Sequence, residues 1–248
     1  MESLNKEPTP GSNLTRSYYA RPAAAFILGN LQPRANDSPD HTEILSSPRG
    51  RSLADLPEEE LATIIALGLR SGLELFPFKR SRIMPRVRWA LGILRGLSPN
   101  ALLDIGPGRG PTLWPVLDAV PNVGVTFLER SDSSIQRLGS VRAGGLSKLR
   151  IVQGDAVQMP FRNAAFDGVS LLEVLEHVGD PGAAIGEAVR IARRFVIVTV
   201  PSVPDDNPEH LHLFRQESLT TLFRRVGVSR VKIGTVPGHW TILALVNP

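Results

Sequence analysis

Two stretches of this chain bring together residue types able to do chemistry. In Leu102-Leu103-Asp104-Ile105-Gly106-Pro107-Gly108-Arg109-Gly110, a short apolar run delivers an acid and then three glycines at alternate positions. Glycines permit a tight turn and let a ligand approach the backbone, and a helix beginning beyond them offers unpaired N–H groups. The dinucleotide fingerprint G-x-G-x-x-G would need glycine at 111, where this chain has Pro111. The second stretch is Leu172-Glu173-Val174-Leu175-Glu176-His177-Val178. A helical turn starting there would put Glu173, Glu176 and His177 at i, i+3 and i+4 on one face. Downstream, Asn207-Pro208-Glu209-His210-Leu211-His212 carries two more histidines. Carboxylates and imidazoles so grouped can remove a proton from a hydroxyl, or lower its pKa through a divalent cation.

The elements that must position these residues follow from apolar patterning. Ala101–Ile105, Val123–Leu128, Leu149–Val152, Phe166–Leu172 and Phe195–Val200 read as strands, with helices at Thr112–Val120, Ser133–Arg142 and Pro181–Arg193 between most of them. Near-continuous apolar strands joined by helices indicate a parallel sheet covered on both faces. After a helix near Arg215–Val226, the runs Ser229–Val236 and His239–Val246 flank Pro237-Gly238, which predicts an antiparallel hairpin. The expected fold is an α/β three-layer Rossmann-like sandwich with a seven-stranded, mostly parallel sheet. Asp104, Glu129 and Asp155 then fall at three successive strand C-termini, the binding edge of such a sheet. Each acid alone also suits an ordinary role, as a cap, a surface acid or an Asx-turn residue.

The order acid-x-G-x-G-x-G after a strand resembles motif I of the class I S-adenosylmethionine-dependent methyltransferases, and the resemblance runs from residue 100 to the C-terminus. It implies S-adenosylmethionine as cofactor, with Gly106, Gly108 and Gly110 against its methionine portion and Asp104 as an anchor. It also implies Glu129 on the ribose hydroxyls, Asp155 on the adenine amino group with Ala156 alongside, and Glu173 lining the cofactor pocket. Glu176, His177 and His210 are the candidate catalytic residues. Glu173, Glu176, His177 and His210 also match the metal ligands of small-RNA 3′-terminal 2′-O-methyltransferases by position, and ubiquinone-pathway O-methyltransferases have a similar E-x-x-E-H stretch. The aromatic surroundings of the RNA enzymes' later histidine are missing here, and many relatives share the segment without a known metal. The sequence reading therefore assigns no metal. The expected function is methyl transfer to an oxygen or nitrogen of a small molecule. RNA 2′-O-methylation and non-catalytic cofactor binding are the alternatives.

Composition narrows the remaining classes. The 248 residues lack cysteine, which excludes a disulfide framework, a cysteine nucleophile and thiolate zinc sites. Net charge is only +4, and Lys79, Arg80, Arg82, Arg86, Arg88 and Arg95 form the one long basic stretch. That stretch would serve an RNA partner, although a solvated helix face accounts for it equally well. No apolar run approaches the roughly 20 residues of a membrane span, and the first residues lack a basic targeting pattern. A cytoplasmic protein without a membrane partner is expected. Three regions are expected: a flexible arm at 1–52 with a short ordered piece near Tyr18–Leu31, a helical segment at 53–98 covering the substrate side, and a methyltransferase domain at 99–248.

Overall fold

The computed structural model of the protein describes residues 10–31, 39–46, 48, 50–80, 84–108, 110, 112–119, 123–147 and 149–246. Arg82, Arg109, Pro111 and Val120, singled out above, lie outside them. The chain divides into two compact units, one of residues 1–82 with 136–149 and one of residues 83–135 with 150–248. No described helix is long and apolar enough to cross a membrane.

The first unit contains helices α1 (Pro10–Ser17), α2 (Ala20–Asn30), α3 (Pro39–Ser46) and α4 (Glu58–Arg70). Helix α2 lies on the short ordered piece expected near Tyr18–Leu31, whereas α1 lies where a flexible arm was expected, and burial accounts for the order of α2. Ala23, Ala24, Ala25 and Ile27 are fully buried, so this short helix is ordered by packing rather than by a conspicuous apolar stripe. Glutamates at 58, 59 and 60 occupy the first turn of α4, at the positive end of the helix dipole. Gly68 in α4 makes room for a neighbour, because a Cβ there would lie 2.5 Å from Ile27 Cγ1. The Gln136–Leu149 segment joins this unit through similar close approaches: a Cβ at Gly144 would meet the Ala25 carbonyl oxygen at 1.8 Å.

The second unit is the expected α/β sandwich. Its seven-stranded sheet has the order β3-β2-β1-β4-β5-β7-β6. The strands are β1 (Ala101–Ile105), β2 (Gly124–Glu129), β3 (Arg150–Gln153), β4 (Phe166–Leu172), β5 (Ala192–Pro201), β6 (Arg230–Val236) and β7 (His239–Leu245). The first five run parallel, and β7 runs antiparallel to both β5 and β6. Helices α5 (Pro85–Leu97), α6 (Leu113–Ala119), α7 (Asp132–Ala143), α8 (Pro181–Ile191) and α9 (Gln216–Arg225) accompany the strands. Helix α5 belongs to this unit, so the division falls near residue 82 rather than at 98. Helix α7 begins in this unit and ends in the other.

Two features set the site in place. Strand order reverses between β1 and β4, which opens the crevice where ligands bind in such sheets. Asp167, at the start of β4, accepts N–H bonds from Asn100 and Ala101 at 2.8 and 3.2 Å and an Arg193 bond at 2.8 Å. Burial pushes its carboxyl up, but those N–H bonds and the charges of Arg193 and Arg194 outweigh it and hold the group below its ordinary range. The clamp ties the start of β1 to β4 and so fixes the register that pairs Asp104 with Ser170.

Candidate active site

The C-terminal ends of β1 and β2 and the loop after β3 carry the acids read from the sequence. Gly106, Gly108 and Gly110 all adopt positive φ, at +61°, +53° and +89°. At Gly110 an added Cβ would lie 2.2 Å from the Trp114 indole nitrogen, so the turn is shaped against the first turn of α6. Glu129 ends β2 with its carboxylate almost wholly buried. Its Oε2 accepts the Gly108 N–H at 3.1 Å, and its Oε1 accepts the Arg130 and Ser131 N–H groups at 2.8 and 2.9 Å. Asp104 is buried in β1 and accepts the Ser170 hydroxyl at 2.5 Å. Burial pushes the Asp104 carboxyl up to about 7; the Ser170 bond draws it back and the charge of Glu129 adds to the rise. Asp155 follows β3, accepts the Val157 N–H at 3.1 Å and stays half-exposed 3.9 Å from Arg130 Nη1, with Ala156 buried beside it.

These residues fit S-adenosylmethionine on chemical grounds. Asp104 and Glu129 are buried acids that repel each other beside a glycine turn, a setting that favours a cationic ligand such as one bearing sulfonium and ammonium groups. Carboxylate oxygens have lone pairs beyond those used by the backbone, so Glu129 can still accept from ribose hydroxyls and Asp155 from an amino group.

On the other side of the switch point, β4 ends and the chain turns sharply. Glu173 sits at φ +62°, a left-handed conformation that costs a non-glycine residue roughly 1 kcal/mol or more. Its N–H donates to the Thr199 carbonyl at 2.9 Å, and its Oε1 accepts the Thr199 hydroxyl at 2.8 Å. Its Oε2 lies 3.0 Å from His239 Nε2 and 3.5 Å from Arg86 Nε. Only then does a single 3₁₀ turn, Leu175–His177, begin. The expectation that Glu173 shares a helical face with Glu176 and His177 is therefore corrected: the left-handed residue aims Glu173 into a separate cluster.

Glu176, His177 and His210 do come together, with one potential ligand atom of each within 4.8 Å of the others. The His177 and His210 rings meet edge to face at 4.7 Å. His177 Nδ1 lies 3.0 Å from the Glu209 carbonyl and His210 Nδ1 lies 2.9 Å from Asp205 Oδ1. Both partners are acceptors, which places a proton on each Nδ1; a neutral ring so held keeps its Nε2 lone pair. Glu176 is fully buried, and neither of its carboxylate oxygens has a hydrogen-bond partner. Burial first, and then the charge of Glu173, push its carboxyl up to about 8. The histidine loop is tied to this turn by the Leu211 N–H, which donates to the Glu176 carbonyl at 2.7 Å.

Sequence reasoning missed Arg86, Thr199, Asp205 and His239. Three of them reach Glu173 through pairings between elements far apart in the chain. His239 returns to this edge because β7 runs antiparallel and pairs it with Pro201. Asp205 is the exception, since its place in the polar loop before His210 was a visible signal.

Comparison with known proteins agrees with the geometry. Residues 103–197 match the family described as a methyltransferase domain. An O-methyltransferase of Pyrenophora dematioidea is 31% identical over 111 residues, covering 43% of this chain and 41% of the relative. Norajmaline N-methyltransferase of Rauvolfia serpentina is 34% identical over 97 residues, covering 38% and 32%. The matches thus span less than half the length of these curated relatives. Among solved structures, a SAM-dependent methyltransferase from Aquifex aeolicus superposes with a TM-score of 0.54 at 15% identity, over 63% of this chain and 88% of that one, a likeness of fold. The sheet order, the glycine turn and the matched segment agree with one another: residues 103–197 resemble a methyltransferase domain, on a fold shared with a SAM-dependent methyltransferase.

Proposed function

We propose that this protein transfers a methyl group from S-adenosylmethionine to an oxygen or nitrogen of a small-molecule acceptor. The observation that carries the reading is the pairing of two differently built groups across one switch point: buried acids around a glycine turn after β1 and β2, and a carboxylate with two imidazoles after β4 and β5. The curated relatives named as O- and N-methyltransferases support the same reading.

In this proposal Asp104, Glu129, Asp155 and Ala156 hold the cofactor over Gly106, Gly108 and Gly110, and Glu173 lines the pocket. When bound, the cofactor supplies an electrophilic methyl on a sulfonium. The chain's task is then to hold the acceptor atom in line with that methyl and to handle the acceptor's proton. Glu176, His177 and His210 are assigned to that proton, because they are buried or half-buried and two of them present free lone pairs. Calorimetry with S-adenosylmethionine and its demethylated product tests the first half. The proposal fails if neither binds at millimolar concentration. Binding without turnover on any member of an acceptor panel would instead indicate a non-catalytic cofactor-binding protein.

A further inference from the structure

We propose that the protein carries a second ligand site, at the sheet edge opposite the candidate active site, for a small amphiphilic anion: a carboxylate on an apolar chain. The site stands independently of the methyltransferase reading.

It is a cavity of about 320 Å³ where α8 and α9 end, β5 and β6 begin and β7 finishes. That volume falls within the roughly 300–1,000 Å³ of small-molecule pockets. Strand β5 runs for ten residues from this cavity to the edge that carries Thr199 and Pro201, so about 30 Å of strand separates the two sites. All the residues around the cavity belong to the second unit.

The walls have two characters. Val189, Ala192, Val226, Val228, Leu245 and Val246 give an apolar surface. Ala192, Val228 and Val246 are buried, whereas Leu245 is exposed, so an apolar chain laid against it would remove it from water. The polar part consists of donors, and no acid lines the cavity. Arg190 spends its five N–H groups on Glu187, Asn163 Oδ1 and the Phe161 and Met159 carbonyls. It is therefore wall rather than ligand-binding group. By holding Asn163 through its oxygen, however, it leaves both Nδ2 hydrogens of that amide to donate. Among the described residues the Arg230 guanidinium and the Ser229 hydroxyl also have no hydrogen-bond or ion-pair partner.

Helix C-termini carry partial negative charge, which opposes an anion. Here the fold answers that charge itself. The Phe223 and Arg224 carbonyls accept N–H bonds from Val226, Gly227 and Val228, and the Arg190 carbonyl accepts that of Ala164. Arg190, Arg224 and Arg225 occupy the last turns of α8 and α9. The nearby acids Glu187 and Asp167 are paired with Arg190 and Arg193. The wall is also set in advance. Ala164 holds a left-handed φ of +49°, fixed by its N–H bond to Arg190 at 2.9 Å and by Arg193 Nη2 on its carbonyl at 3.2 Å. A cavity fixed before binding loses little freedom on binding. A guanidinium fork takes a carboxylate through parallel N–H bonds, the amide and hydroxyl add to it, and the chain covers the valines.

Calorimetry with sodium decanoate on the full-length protein tests the site. The expected result is one equivalent per chain with a Kd below about 1 mM, a level within reach of a ligand of this size. Decyltrimethylammonium reverses the charge and propionate lacks the chain; each should bind about tenfold more weakly or worse. Arg230→Gln should weaken decanoate by about tenfold, the scale of one lost bond to a charged group. Ser229→Trp should fill the cavity and abolish binding. Both positions are exposed, so the Tm of each variant should match the parent. A folded protein that takes up no decanoate at millimolar concentration overturns the proposal, as does equal affinity for the three probes. Full affinity in Ser229→Trp, or displacement of decanoate by the demethylated product of S-adenosylmethionine, places the anion elsewhere and also overturns it. Sedimentation with phosphatidylglycerol vesicles without uptake of free decanoate would make this a membrane-contact face and sink the cavity reading. No cofactor enters the decanoate titration, so its failure leaves the methyltransferase reading untouched.

Discussion

The two sides of the switch point are built by different means. After β1, β2 and β3 the surface is built largely from backbone: three glycines with positive φ, and a glutamate held in place by N–H groups of its own and the neighbouring loop. After β4 and β5 it is built from side chains, which reach one another from a strained turn, a long loop and the hairpin. A backbone-built surface suits one unvarying ligand. The side-chain surface can be altered residue by residue without disturbing the sheet, as acceptor recognition requires.

Mutations on the two sides should therefore break different quantities. The largest effect is expected from Gly110→Ala, which combines a φ of +89° with a Cβ 2.2 Å from Trp114. It should destabilise the protein by about 3 kcal/mol or more and abolish cofactor binding, measured by denaturant melts and calorimetry. Glu176→Gln should lower turnover by roughly a hundredfold or more on an accepted substrate while cofactor affinity changes little. A parallel loss of affinity would erase the distinction between the two sides.

Asp104 sharpens the comparison through pH. Its folded-state pKa of about 7 lies above the ordinary value near 4, so the folded protein holds the proton longer than the unfolded chain. Stability due to this group therefore falls as pH rises from about 4 to about 7 and is level above that. Asp104→Asn should be more stable than the parent above pH 7, by up to about 4 kcal/mol, and should show a flatter stability profile below it. Cofactor affinity in the parent should decline as pH drops through 7, since the neutral acid no longer attracts a cation, and the variant should lack that decline. The smallest expected effect is that of Asp205→Asn, a loss in turnover of about tenfold without change in cofactor affinity, because it only loosens His210.

The same contrast explains what could be read from the sequence. Strands β1 to β5 and the glycine turn follow from local apolar runs and fixed spacing, so the sheet and the positions of Asp104, Glu129 and Asp155 along it were legible. Glu176 and His177 were legible as a pair because they are adjacent. The cluster of Arg86, Glu173, Thr199 and His239 was not, since it depends on strand register and on one residue adopting a left-handed backbone. Helix α2 falls on the short ordered piece expected near Tyr18–Leu31, but its packing was not legible: Ala23, Ala24 and Ala25 carry little apolar signal, and their burial depends on glycines distant in the chain, such as Gly144.

The bond from the Leu211 N–H to the Glu176 carbonyl divides the loop into two mechanical parts. It anchors the downstream half to the 3₁₀ turn, while the Ser202 N–H, donating to the Gly238 carbonyl at 2.9 Å, anchors the upstream end to the hairpin. A change in the length of the stretch between these two fastenings would leave both in place.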